Sequence, residues 1–132
     1  MTFIYRFMHV IAVVMFVFST SVYAAGGVIV GQSEVSDETI QRVYLGQSRA
    51  VTAVNQLESN NIREVFERNV LGRSSDQMKA HWSRLLFTGR AAALQEFASD
   101  EAVVEFLKAN PNAIGYISDA SKADGLVISR EF

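Results

Sequence analysis

The sequence predicts an α/β fold: a small single domain in which a mixed sheet is flanked by helices. Three observations predict it. Short β-branched runs alternate with amphipathic helical stretches, residues that cap helices stand at the starts of those stretches, and the chain suits one core but is too short for two.

The first segment is expected to be a leader. Arg6 lies before the apolar run Val10 to Phe18, and Val22, Tyr23 and Ala24 supply a small-residue cleavage site, which is the layout of a secretory signal over residues 1–24. A spanning helix needs about 20 apolar residues, and Ser19, Thr20 and Ser21 interrupt the run well before that. Retention as an N-terminal anchor is the alternative to cleavage. The expected mature protein is a domain over residues 25–132, periplasmic or secreted, with no direct membrane span once the signal is removed.

Val28 to Val30 follows a Gly26-Gly27 pair and reads as a short buried strand. Ser36 then caps a helix with Asp37 and Glu38 in its first turn and Ile40, Val43 and Tyr44 on one face, and Gly46 closes it. Val51 to Val54 is a second strand. Ser59 is the expected cap of a second helix, with Ile62, Val65, Phe66 and Val70 on a stripe that ends at Gly72. Ser74 and Gln77 form a capping box for a third helix, in which Met78, Trp82, Leu85 and Leu86 recur as an apolar inner face. Gly89 to Glu96 has weaker periodicity and reads as a loop or a loosely held helix. Ser99 starts a fourth helix with Val103, Val104 and Leu107 facing inward, and Asn110-Pro111-Asn112 stops it. Ala113 to Ile117 and Leu126 to Ile128 read as strands joined by a polar turn over Asp119 to Gly125.

Composition narrows the function classes. Loss of Arg6 with the leader takes the formal net charge from −2 to −3, and the remaining Lys and Arg are scattered among the acids, which argues against nucleic acid as a partner. There is no cysteine, so disulfide and thiol chemistry are excluded. His81 is the one histidine beyond the leader, too few for a histidine-rich zinc site, and no calcium-loop spacing occurs. No cofactor or metal is expected. His81 has no nucleophile motif beside it and reads as a structural histidine rather than a general base, so the chain is not expected to be an enzyme.

One stretch carries a chemical rationale. Val54 to Arg63 runs from a strand through a polar loop into a helix start, where unpaired amides and the helix dipole favour an anion. Ser59, Asn60 and Asn61 add short polar groups, and Arg63 adds a cation. Gln32 and Ser33 after the first strand, and Arg90 after the third helix, are candidate contributors. A helix start gives an exposed anion only about 0.3–1 kcal/mol, so several donors have to converge for tight binding.

The ordered set Tyr44-Leu-Gly-Gln-Ser48, Val54-Asn-Gln56, Arg63 with Phe66, Val70-Leu-Gly-Arg-Ser74, Trp82-Ser83, Phe87-Thr-Gly-Arg90 and Asn110-Pro-Asn-Ala-Ile-Gly-Tyr116 resembles short bacterial phosphate ABC-transporter substrate-binding proteins over nearly the whole mature chain. The resemblance implies a minimal type 2 periplasmic-binding-protein lobe, shorter than the two-lobed receptors. The phosphate motif of the longer proteins, an Arg followed four residues later by Ser-Gly-Thr, falls on Asn55 and on Ser59, Asn60 and Asn61, of which only the serine matches. The first expectation is therefore a periplasmic solute-binding module for phosphate or a related oxyanion, associated with ABC-type uptake or sensing and partnered by a membrane permease or an envelope sensor. The alternative is a non-transport envelope interaction module with a decayed ligand site. A hydrolase built around His81 is a distant third.

Overall fold

A computed structural model of the chain describes residues 26–132; the expected leader lies outside the described residues. Five strands and four helices follow in the order β1 (Val28–Gly31), α1 (Asp37–Tyr44), β2 (Thr52–Gln56), α2 (Asn61–Asn69), α3 (Ser75–Phe87), β3 (Gln95–Phe97), α4 (Asp100–Ala109), β4 (Ala113–Ile117) and β5 (Val127–Glu131), with a 3-10 turn over Ala120–Lys122 before β5. The sheet is mixed, in the order β3-β2-β4-β1-β5. Strand β2 runs parallel to β3 and β4, while β1 is antiparallel to both β4 and β5.

Side-chain alternation along the strands explains why helices cover both faces. Ile29, Ala53, Ile114 and Tyr116 meet Ile40, Tyr44, Ile62 and Phe66 in one core, beneath α1 and α2. Val28, Val30, Val54 and Ile117 meet Val103, Val104 and Leu107 of α4 in the other. Central strands with both faces buried are apolar on both faces, as β1 and β4 are here.

Helix starts at Ser36, Ser74 and Ser99 are capped as the sequence predicts, with the full capping box between Ser74 and Gln77. The second helix differs. Asn60, not Ser59, is its cap residue, and no side chain caps it. Two further differences concern the segment after it. Gln95–Phe97, placed by the sequence partly in a loop or loose helix and partly beyond it, is an edge strand held by backbone pairing to β2. In α3 only Met78 is buried, and Leu86, expected on its inner face, is 46% exposed. The last strand also starts one residue later than expected and runs on to Glu131.

Gly115 is required by a close approach between layers. A Cβ at this position would lie 2.8 Å from Cγ1 of Val103 and 3.0 Å from Cγ2 of Val54. Both neighbours are β-branched and stiff at χ1, so neither yields readily. Gly115→Ala is expected to destabilise the protein by about 1–3 kcal/mol. Urea unfolding checks this, and a midpoint equal to that of the wild type would show that α4 shifts without strain.

Candidate functional site

The parallel strands β2, β3 and β4 end together at one edge of the sheet, and α2 and α4 start from the loops that follow β2 and β3. Helix starts on opposite faces thus meet near the C-terminal ends of parallel strands, the position where open α/β sheets hold ligands. An open hollow of about 520 Å³ lies there, lined among others by Ser59, Asn60, Asn61, Asp100, Ser118 and Lys122. Since no side chain caps α2, its first amides, at Asn61 and Ile62, face no capping acceptor.

Asp100 is the centre of the hollow's wall. It is 6% exposed at the start of α4 and accepts four hydrogen bonds. One carboxylate oxygen accepts from Gln56 Nε2 at 2.8 Å and from the Ser118 amide at 3.0 Å. The other accepts from Ser118 Oγ at 2.6 Å and from the Asp119 amide at 3.2 Å. Burial pushes this carboxyl up, but the bonds from Ser118, Gln56 and the two amides outweigh it and hold the pKa below the ordinary aspartate value. Gln56 is equally engaged. Its amide nitrogen also donates to the Tyr116 carbonyl at 3.0 Å, and its oxygen accepts from Asn60 Nδ2 at 3.0 Å. Asn60 Nδ2 donates besides to the Ala98 carbonyl at 2.9 Å. The network therefore ties β2, β4, α4 and the start of α2 into one rigid frame.

Lys122 is the cation of the hollow. Its ammonium lies 2.7 Å from Glu101 and 3.9 Å from Asp100, and the bond it donates to Glu101 raises its pKa above the usual lysine value.

The sequence-selected residues divide into two groups. Ser59, Asn60 and Asn61 stand together at the hollow. Arg63 does not join them. Its Nη1 donates to the Gln56 carbonyl at 3.1 Å and pairs with Glu96 of β3 at 2.7 Å, while its buried Nε lies 3.9 Å from Glu67 without a hydrogen-bond partner. The guanidinium lines a second cleft of about 210 Å³, with Asn55, Trp82, Leu86 and Glu96. Burial raises the Glu67 carboxyl above the ordinary glutamate value, against the opposing pull of Arg63 and the Ser75 hydroxyl.

Gln32 and Ser33 leave the opposite edge of the sheet, because β1 is antiparallel. Val28 pairs with Ile117 at the end of β4, whereas Gly31 pairs with Ile114 near its beginning. Gln32 Nε2 donates to the Leu107 and Lys108 carbonyls at the end of α4, and Ser33 is exposed. Arg90 is exposed after Gly89, beyond the end of α3, and does not line the hollow. His81 Nε2 lies 2.8 Å from the Leu45 carbonyl, which makes it part of the α1–α3 contact. Gln56 lies within the stretch that sequence reasoning singled out, without a role of its own there, and the residues it missed are Asp100, Ser118 and Lys122. Of these only Asp100 carried a signal, and that signal pointed to helix-dipole complementarity in a first turn.

Among the described residues no helix is long and apolar enough to cross a membrane, and no three His, Cys, Asp or Glu side chains group as metal ligands. No family model matches the chain, and neither the curated proteins nor the solved structures contain a significant match.

Proposed function

We propose that this protein is a periplasmic solute-binding module that takes phosphate or a related oxyanion in the hollow where α2 and α4 begin, in association with ABC-type uptake or sensing. The observation that carries the reading is the pair of helix starts opening on one hollow, with the first amides of α2 uncapped. The resemblance of the Leu-Gly-Gln-Ser, Phe-Thr-Gly and Ala-Ile-Gly-Tyr segments to short phosphate-binding proteins supports it from the sequence. Lys122, 40% exposed, is the cation able to turn from Glu101 towards a bound anion. The hollow's own carboxylates, Asp100 and Glu101, oppose an anion, so the site suits a loosely held solute.

A thermal melt tests the site. A dissociation constant of about 1 mM would stabilise the fold by roughly 1.4 kcal/mol at about 10 mM phosphate, raising the midpoint by about 5 °C. Asn61→Pro is the discriminating variant. Proline is tolerated at the first helical position, and Asn60 already has the extended φ −83° and ψ 120° that a following proline demands. The variant removes one donor from the hollow while keeping the helix, and it is expected to reduce the phosphate shift by half or more. A midpoint indifferent to phosphate and sulfate at matched ionic strength would sink the oxyanion reading.

A second reading is favoured by Arg63 and Asp100. The cation expected at the anion is spent on Glu96, and four donors already hold the protein's own carboxylate. A non-transport module that docks on an envelope partner, with its ligand site decayed, accounts for both. Recovery of an envelope sensor from extracts, with no anion effect on the melt, would decide for it; recovery of a permease would decide against it.

A further inference from the structure

The first half of helix α3 is anchored to the body of the protein, with Met78 buried, Ser75 donating to Glu67 of α2 and Lys79 paired with Glu58. Trp82 Nε1 donates to the Tyr44 carbonyl at 3.1 Å and His81 meets the Leu45 carbonyl, both at the end of α1. At its C-terminal end Leu86 is 46% exposed and Phe87 is 94% exposed. A phenylalanine exposed to that degree projects from the surface, and no neighbouring side chain shields it.

Along the sequence, charge is segregated at this apex. From Lys79 to Leu94 the chain carries Lys79, Arg84 and Arg90 and no acid, although acids outnumber bases in the whole chain. Lys79 is paired with Glu58, but Arg84 and Arg90 form no ion pair among the described residues. Arg49, also outside the ion pairs, lines a shallow hollow with Ala93 and Leu94, next along the same segment. Complementarity with the helix dipole explains Arg84 in the last turn. It explains neither the projecting Phe87 nor the unpaired Arg90.

We propose that the tip of α3, with Leu86 and Phe87 at its apex and Arg84 and Arg90 beside them, docks onto an anionic lipid surface. A projecting side chain needs a partner that closes around it. A fluid interface does so without a preformed pocket, accepting the apolar groups at the boundary between headgroups and acyl chains. The arginines add attraction to anionic headgroups over about one Debye length, and the acids that come near α3, Glu58 on Lys79 and Glu96 on Arg63, are each paired with a base. The thirteen residues of α3 are too few to span a bilayer, so the contact is peripheral and weakens with salt. This inference is independent of the oxyanion reading.

The chain has no cysteine, so Thr88→Cys places a single environment-sensitive fluorophore at the tip of the full chain. Vesicles of phosphatidylcholine with about 30% phosphatidylglycerol are expected to shift its emission to the blue, and vesicles of phosphatidylcholine alone to do so roughly tenfold more weakly. Phe87→Ser is expected to weaken the interaction by about tenfold or more, and Arg84→Gln with Arg90→Gln by roughly 10- to 30-fold. A label at Ala120→Cys, in the turn after β4 and in one hollow with Gly26, is expected to remain unshifted, which separates the tip from binding through the apolar N-terminal run. The proposal is overturned if the Thr88 label does not respond to these vesicles. It is overturned equally if the Ala120 label responds as strongly, or if Phe87→Ser binds undiminished with an unchanged melting midpoint. A Thr88 label that responds to an envelope protein but not to lipid overturns it in favour of a protein partner.

Discussion

Asp100→Ala is expected to lower the thermal midpoint by roughly 10 °C or more. The substitution strands the Ser118 and Asp119 amides, the Ser118 hydroxyl and Gln56 Nε2, each of which donates to this carboxylate. Buried donors left without an acceptor cost about 1–3 kcal/mol each, and partial rehydration through the open hollow brings the sum to about 3 kcal/mol. The pH dependence supplies a signature that lost packing would not. Because the folded carboxyl titrates below its unfolded value, its contribution is complete above about pH 4 and disappears as pH falls through the folded pKa. The gap in midpoint between wild type and Asp100→Ala is therefore expected to be constant from about pH 5 to 8 and to narrow in stronger acid. Glu67 works in the opposite sense in both proteins. Its raised pKa makes its ionised form unfavourable in the fold, so mild acid recovers stability there. A gap that persists unchanged to pH 3 would show that the carboxylate's charge is not what holds the frame.

Phe66→Ala is expected to destabilise the protein by about 3–5 kcal/mol, a large share of the 5–15 kcal/mol that a domain of this size typically has. Phe66 stacks on Tyr116 at a centroid distance of 4.0 Å and meets Tyr44 edge-on at 4.7 Å, so its removal opens a void between α2 and the sheet. The effect reaches the hollow. Tyr116 hydroxyl bonds to Asn55 Oδ1 and accepts from the Gln56 amide at 3.1 Å, and it thereby positions the end of β2 from which α2 departs. Denaturant unfolding measures the stability. A loss below about 1 kcal/mol would mean that the aromatic cluster collapses around the gap.

What the sequence made legible was what local chemistry decides. Ser36, Ser74 and Ser99 announce helix starts because the cap lies within a few residues of the amide it serves, and Ile114 and Tyr116 announce a buried strand by their composition. Strand β3 was hidden because Gln95–Phe97 is a three-residue edge strand with no apolar alternation, formed by bonds to β2. That omission misplaced Arg63. Its partner Glu96 stands on β3, so a helix position expected to face an anion is drawn sideways instead. Gln32 and Ser33 were misplaced for another reason. A strand buried on both faces has the same residue pattern whether it runs parallel or antiparallel, and only pairing to β4 reveals which edge of the sheet it exits. Asp100 has its partners at Gln56 and Ser118, distant in sequence, so nothing next to it distinguishes a buried tether from a solvated first-turn acid.

The antiparallel insertion of β1 between β4 and β5 also sets the order in which the molecule is completed. The first strand of the described chain finds no neighbour in the sheet until Ala113–Ile117 has been made, and its other side stays bare until Val127–Glu131 follows. A chain that emerges start-first from a ribosome thus carries an unsatisfied apolar ribbon until these two later strands have followed it. Closure of the sheet must await strands far along the sequence, and pairing over such separations slows assembly and leaves the nascent domain open meanwhile.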